Sequence, residues 1–415
     1  MNCILRFGKV VYRTNSVPEY WKISLGRADA DNWYGCPEKQ DDQLMSIRKI
    51  PTNNRPCLLL ALSFLLVTAC SSTPERPQPD PDAAACYIIY DAGSSATRLF
   101  VYEETEAGWL MHKGPETDAL SDPVRRNRGK SMSDSNQVVS DILIALDRIR
   151  RDGPPDKNGT PEWSAFDWPR RCNVKAAAVY ATAGMRLAEK MDARNSALLW
   201  NKLNDRLSEK LGMSVTTRTL TEHEEGLYSW LALRELTPDG NFGVAEMGGA
   251  SLQVTFPCPL CETATPVKVK DRTIAVFGHS FLGWGQDEAW RKFRNQSACS
   301  WGVGMKNPTW RVDDCKSTMV GFAESAAEVT SKVKGAGDMR WFLTSAFSYM
   351  QDTDIEYFCR RGINDGFQPE SSCFRAVYLQ NVLDTLAVPS NYELSKVNWT
   401  LGAIVCTATR CLETQ

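Results

Sequence analysis

Asp91-Ala92-Gly93-Ser94-Ser95-Ala96-Thr97-Arg98 gathers a carboxylate, a glycine and three hydroxyls into one short stretch. Small residues in a tight turn let backbone N–H groups and hydroxyls surround a phosphate. A carboxylate at the strand end, Asp91, can hold a hydrated divalent cation. The same residues also suit an ordinary hairpin in which Gly and Ser only form the turn. A near copy, Glu246-Met247-Gly248-Gly249-Ala250-Ser251, follows about 155 residues later, and two such turns face to face would clamp two ends of a polyphosphate. Between them, Tyr180-Ala181-Thr182-Ala183-Gly184-Met185-Arg186 brings a hydroxyl, a glycine and a guanidinium to a strand end. Glu224-Glu225-Gly226 then opens a helix, where a carboxylate is favoured by the helix dipole whether or not it does chemistry.

Each of these groups needs an element behind it. Cys86-Tyr87-Ile88-Ile89-Tyr90 reads as a buried strand entering the first turn, and Leu99-Phe100-Val101-Tyr102 as its return. Residues 113–135 and 153–169 are polar and loop-like. Apolar spacing predicts helices over 137–150, 193–211 and 222–236, and a strand over 174–181. Around the second turn, 242–245 and 252–256 repeat the strand–turn–strand plan. A repeat of this length is no solenoid. It predicts two similar α/β domains, each presenting one hairpin to a shared cleft.

In this order the segments resemble the apyrase family, the nucleoside triphosphate diphosphohydrolases. DAGSSATR at 91–98, ATAGMR at 181–186, EEG at 224–226, EMGGASLQ at 246–253 and Trp399-Thr400-Leu401-Gly402 match its five short regions, and 279–285 and 345–349 are similar to further family segments. The resemblance covers roughly residues 86–402. It implies an actin-like, RNase H-type duplicated α/β fold, with 86–220 plus the returning tail 396–415 as one domain and 221–395 as the other. It implies the removal of terminal phosphates from nucleoside tri- and diphosphates. Glu225 would be the catalytic base, and Ser251 and Gln253 would position the attacking water. Ser94, Ser95, Ala96, Thr97, Thr182, Gly248 and Gly249 would cradle phosphate. Asp91 and Glu246 would hold Mg2+ or Ca2+ through water, and Tyr349 with Ala346 would receive the base. Glu246 stands where the family usually has Asp, and Ala96 where Gly or His is frequent. Both departures bear on metal preference and on the triphosphate-to-diphosphate ratio.

Two rival readings keep parts of this picture: an exopolyphosphatase-like hydrolase of phosphoanhydrides, and a lipoprotein that binds nucleotides without cleaving them. Tyr349 and the Trp399 segment speak for a nucleoside, and binding alone does not need Glu225, Ser251 and Gln253. No Walker-type phosphate loop is present, which argues against an ATPase motor.

The chain of 415 residues is long enough for two domains, and its net charge of -2 gives no basic surface for nucleic acid. A monomer is expected. Residues 58–67 form an apolar run behind Arg48, Lys49 and Arg55, too short to span a bilayer and shaped like a secretory signal. Val67-Thr68-Ala69-Cys70 resembles a bacterial lipobox, so Cys70 is the expected lipidation site on an exported, membrane-anchored, outer-membrane lipoprotein. Met45 is then the expected start, 1–44 an extension outside the protein proper, 45–69 the signal, and the Pro-rich stretch 70–85 a tether. Ten of the fourteen cysteines follow the lipobox, an even number that reads as disulfides in an exported chain. Cys258 and Cys261 could also be half of a zinc site, although no second Cys-x-x-Cys exists. The family comparison suggests Cys359–Cys373, then Cys299–Cys315. Cys86 and Cys172 each begin a strand and suit a bridge between neighbours. Cys258, Cys261, Cys406 and Cys411 remain without an assigned partner.

Overall fold

The structure, a computed structural model, describes residues 82–126, 133–147, 149–150, 163–164, 172–237, 241–299, 309–350, 355–360 and 369–412. The expected extension, the signal, Cys70 and most of the tether lie outside the described residues.

In chain order the strands are β1 (Ala84–Ala92), β2 (Ala96–Thr105), β3 (Gly108–Asp118), β4 (Ile149–Arg150), β5 (Trp163–Ser164), β6 (Cys172–Ala181), β7 (Thr216–Thr219), β8 (Phe242–Met247), β9 (Ser251–Pro257), β10 (Thr265–Val269), β11 (Arg272–Leu282), β12 (Arg340–Ser345) and β13 (Glu393–Leu394). The helices are α1 (Asp122–Arg126), α2 (Ser133–Ala145), α3 (Ala183–Met191), α4 (Ala193–Leu211), α5 (Glu224–Leu236), α6 (Gln286–Phe293), α7 (Val312–Thr318), α8 (Phe322–Gly335), α9 (Ile355–Arg360), α10 (Ser372–Leu386) and α11 (Trp399–Thr409).

One sheet runs β3-β2-β1-β6-β7 and the other β10-β11-β9-β8-β12-β13. Both follow one plan. An antiparallel set (β3-β2-β1, β11-β9-β8) continues into parallel strands (β6-β7, β12-β13), and β10 is added at one edge. The duplicated α/β architecture expected from the repeat is therefore present. The central strands β1, β6 and β8 are covered on both faces and read as near-continuous apolar runs.

Alternation sorts the side chains. Ile88, Tyr90, Leu99 and Val101 face one core with α2 and α4, whereas Ile89, Phe100 and Tyr102 face another with α5 and α11. The second core also takes Phe242, Val244 and Phe342 from the other sheet, so α5 and α11 lie between the two sheets. A third core packs α8 and α10 on the outer face of the second sheet. On α4 the Leu199, Leu203, Leu207, Leu211 stripe is fully buried. Asp192 caps its start by accepting from Asn195 N at 3.0 Å, and Gly212 at φ 59° ends it.

The segment 113–135 is not a loop: β3 runs to Asp118, and α1 and α2 follow. The predicted helix 137–150 ends at Ala145, because Ile149 and Arg150 pair with Trp163 and Ser164 inside the second expected loop. Glu246 and Met247 still belong to β8, and Ser251 already belongs to β9, which leaves only Gly248–Ala250 as the turn.

The ten cysteines from Cys86 onward are all paired. Cys86–Cys172, Cys299–Cys315 and Cys359–Cys373 form as expected, and the remaining four close short loops as Cys258–Cys261 and Cys406–Cys411. Joined to each other, Cys258 and Cys261 offer no thiolate to zinc.

Candidate active site

The parallel strands deliver both acidic residues to the same kind of place, the carboxyl end of a central strand beside its hairpin turn. Ligands of open α/β sheets bind at such ends. Asp91 pairs across its hairpin with Arg98, and Glu246 with Gln253, so the two hairpins share one register.

Three glycines let the surrounding backbone close in. A Cβ on Gly184 would lie 2.7 Å from Ser94 Cα, so α3 starts directly against the first turn. A Cβ on Gly249 would lie 2.6 Å from Ser94 Oγ and 2.5 Å from Asp287 Oδ2. The two turns thus meet, Ser94 against Gly249. A Cβ on Gly226 would collide with Thr255 Oγ1, and this close approach seats α5 on β9.

At that seat Glu225, only 5% exposed, enters a polar cluster. Its Oε2 accepts from Arg186 Nη2 at 2.7 Å and from Gln253 Nε2 at 2.9 Å. The Gln253 amide also reaches Ser251 Oγ at 2.5 Å and Ser280 Oγ at 3.3 Å, and Arg186 Nη1 donates to Ser280 at 3.0 Å. Gln253 Oε1 is buried with no hydrogen-bond partner, which leaves an acceptor beside the carboxylate. Burial pushes the Glu225 carboxyl up to about 8; Arg186 works against this, while Glu246 and Asp91 add to it. Burial likewise raises Asp91 to about 6 and Glu246 to about 7.

Glu246 is held at both oxygens, by the Ser229 hydroxyl and by Ser345 Oγ at 2.9 Å. Asp91 faces Arg98 Nη1 at 3.8 Å. Asp91 raises the proton affinity of both Glu246 and Glu225, and Glu246 raises that of Glu225, so a cation would be welcome here, and hard oxygen donors fit Mg2+ or Ca2+. Among the described residues no three His, Cys, Asp or Glu side chains converge into a metal cage. Asp91 and Glu246 would therefore share a cation with water, as magnesium prefers.

Not every expected residue joins this centre through its side chain. Thr97 Oγ1 accepts from Leu120 N at 3.1 Å and so braces the strand exit. Gly248 and Gly249 turn their carbonyls to the N-terminus of α6, which satisfies its N–H groups. Ser95 is exposed, Ala96 buried, and Thr182 is a buried residue at the start of α3. Tyr349 stands 74% exposed at the end of the 3-10 turn Ala346–Tyr349, anchored by the fully buried Phe347. Trp399 is a correction: it is 4% exposed and stacks on Tyr228, with ring centroids 6.4 Å apart. It belongs to the core and offers no surface to a nucleoside.

Sequence reasoning gave no role to Arg186, Ser280, Ser229 or Ser345. Ser229 carried a signal, since it lies one helical turn beyond Glu225 and shares its face. The others come together only through tertiary packing.

Two duplicated sheets, each with an acidic glycine-turn hairpin, and one buried glutamate held by groups from both define a two-lobed α/β protein with a single shared polar centre. Residues 171–383 match the GDA1/CD39 (nucleoside phosphatase) family, and the chain belongs to it. It is 25% identical over 285 residues to human ectonucleoside triphosphate diphosphohydrolase 2, covering 61% of this chain and 52% of that protein. It is 25% identical over 458 residues to the nucleoside-triphosphatase ntp-1 of Caenorhabditis elegans, covering 84% and 79%. The chain spans about half the length of most curated relatives it matches. Among solved structures, the Ppx/GppA family member of Aquifex aeolicus overlaps at TM-score 0.45 and 16% identity, covering 79% of this chain and 98% of that one. A nucleoside triphosphate hydrolase of Neospora caninum overlaps at 0.40 and 14%, covering 79% and 93%.

Proposed function

We propose that the protein is an exported apyrase that hydrolyses the terminal phosphoanhydride of nucleoside tri- and diphosphates. The observation that carries this is the buried Glu225, held by Arg186 and Gln253 where the two hairpin turns meet. A bound divalent cation, held by Asp91 and Glu246 through water, would neutralise phosphate charge. Glu225 takes a proton from water as that water attacks the terminal phosphorus in line, and the bridging P–O bond breaks toward the nucleotide. Gln253 and Ser251 aim the water, and Arg186 fixes Glu225 and favours its ionised form against the burial that opposes it. Ser94, Ser95, Thr182 and the backbone at Gly248 and Gly249 hold the phosphates; Tyr349, with Ala346, takes the base. Phosphoryl transfer asks for such positioning and charge more than for covalent chemistry.

The export reading rests on the Cys70 segment, with the five disulfides in its support. Among the described residues no helix is long and apolar enough to cross a membrane, so a lipid on Cys70 would be the anchor. Expression from Met45 and from Met1 should give the same lipidated membrane product by mass spectrometry; a soluble product with a free Cys70 refutes this.

Phosphate release from ATP, ADP, AMP, pyrophosphate and polyphosphate, with metal or with EDTA, tests the activity. ATP and ADP should be cleaved only with metal, and AMP not at all, because the two turns grip at least two phosphates. Preference for polyphosphate would move the substrate to the exopolyphosphatase-like class.

A further inference from the structure

Four described residues other than glycine have positive φ: Lys270, Ser345, Ala387 and Arg410. Lys270 sits at the tip of the β10–β11 hairpin, and Ala387 and Arg410 cap helices, where left-handed backbone is ordinary. Ser345 lies at no hairpin tip and at no helix C-terminus; it precedes the 3-10 turn Ala346–Tyr349. It ends a central strand at φ 56° and ψ -124°, a region outside the left-handed helical basin in which glycine alone is at ease.

The duplication shows what an unspecialised residue looks like here. Ser345 pairs with Met247 at the end of β12, as Ala181 pairs with Ala92 at the end of β6. Ala181 occupies its place without positive φ. At Ser345 the strained backbone aims the hydroxyl at Glu246 Oε1, 2.9 Å away, while the Ser345 carbonyl accepts from Ser348 Oγ at 2.7 Å. The next four residues are the turn that carries Tyr349. The other Glu246 oxygen is held by Ser229, one helical turn beyond Glu225 on α5. One chain of contacts therefore runs from the helix of the base, through the acidic residue, to the exposed aromatic.

We propose that Ser345 is a positioning residue that fixes the Glu246 carboxylate and the Tyr349 turn together, so that cation affinity and nucleoside affinity are set by one strained position. This rests on the reading above, in which Glu246 serves the metal and Tyr349 the base. Glycine would adopt the backbone freely but gives no hydroxyl; alanine gives neither comfort nor hydroxyl. Serine meets both demands only by bearing the strain.

The test uses Ser345→Ala and Ser345→Gly in the full chain, each checked for a wild-type unfolding transition. Mn2+ binding is followed by electron paramagnetic resonance in the presence of a methylene-bridged ADP analogue. Binding of that analogue is compared with binding of methylenediphosphonate, which lacks the nucleoside. Both variants should weaken Mn2+ binding roughly three- to tenfold, the worth of one hydrogen bond. Ser345→Gly, whose turn is released, should also weaken the nucleoside analogue while leaving methylenediphosphonate no weaker than in Ser345→Ala. Wild-type Mn2+ affinity in both variants overturns the proposal. Glu246→Ala, measured alongside, separates the two levels: if it too binds Mn2+ like wild type, the metal assignment of Glu246 has failed, and the proposal with it.

Discussion

At the scale of single residues, Glu225 and Arg186 carry the proposed chemistry. Glu225→Gln keeps the size and the hydrogen bonds but cannot accept a proton, so kcat should fall about 10²–10⁴-fold. Binding of a non-hydrolysable nucleotide should stay near wild type by calorimetry. Arg186 opposes the burial that raises Glu225, so Arg186→Gln should move the acid limb of the kcat–pH profile upward; an unmoved limb refutes the pairing. Glu246→Asp is one methylene too short to keep both Ser229 and Ser345. It should stay active with a changed Mg2+-to-Ca2+ rate ratio, whereas Glu246→Ala should be crippled with either metal. The residue types of this centre were readable because hairpin turns and a helix start are local features. Arg186 could be read as a guanidinium at a strand end, but its partners Glu225 and Ser280 are 39 and 94 residues away and are chosen by how α3 meets α5 and β11.

At the scale of elements, close approaches at glycine decide whether the centre forms. A Cβ at Gly402 would collide with the Tyr228 carbonyl, so α11 crosses α5 only because that side chain is absent. Gly402→Ala should force the helices apart and cost about 1–3 kcal/mol in chemical denaturation, as overpacking does. It should also lower kcat, since α5 carries Glu225. Gly335, at the end of α8 with nothing within 4 Å of its Cβ position, is the control. Gly335→Ala should be neutral or stabilising by up to about 1 kcal/mol. The same local logic explains which elements the sequence disclosed. The Leu stripe of α4 marks a helix to the residue, because one apolar face suffices to identify it. β3 escaped notice because it is an edge strand, half exposed and interrupted by Gly114 and Pro115, so its polarity follows no clean alternation.

At the scale of the whole molecule, three buried carboxylates make folding itself depend on pH. Glu225 moves from its ordinary 4.5 to about 8, Glu246 from 4.5 to about 7 and Asp91 from 3.8 to about 6, all chiefly through burial. Between its ordinary value and its folded one, each group is still protonated in the folded chain and already ionised in the unfolded one. The folded state thus binds more protons, and stability falls as pH rises through the folded values. His279 is shifted downward by burial and works in the opposite sense, but only below its ordinary 6.5. The clean window therefore lies between pH 6.5 and 8, where Glu246 and Glu225 dominate. In EDTA the melting temperature should drop across that window, and Glu225→Gln, which carries no charge to bury, should flatten much of the drop. Mg2+ with a non-hydrolysable nucleotide should restore stability most at the high-pH end, where the ionised carboxylates have most need of a counter-charge. A melting temperature in EDTA that holds level or rises from pH 6.5 to 8 would show that these carboxylates are not buried together as described.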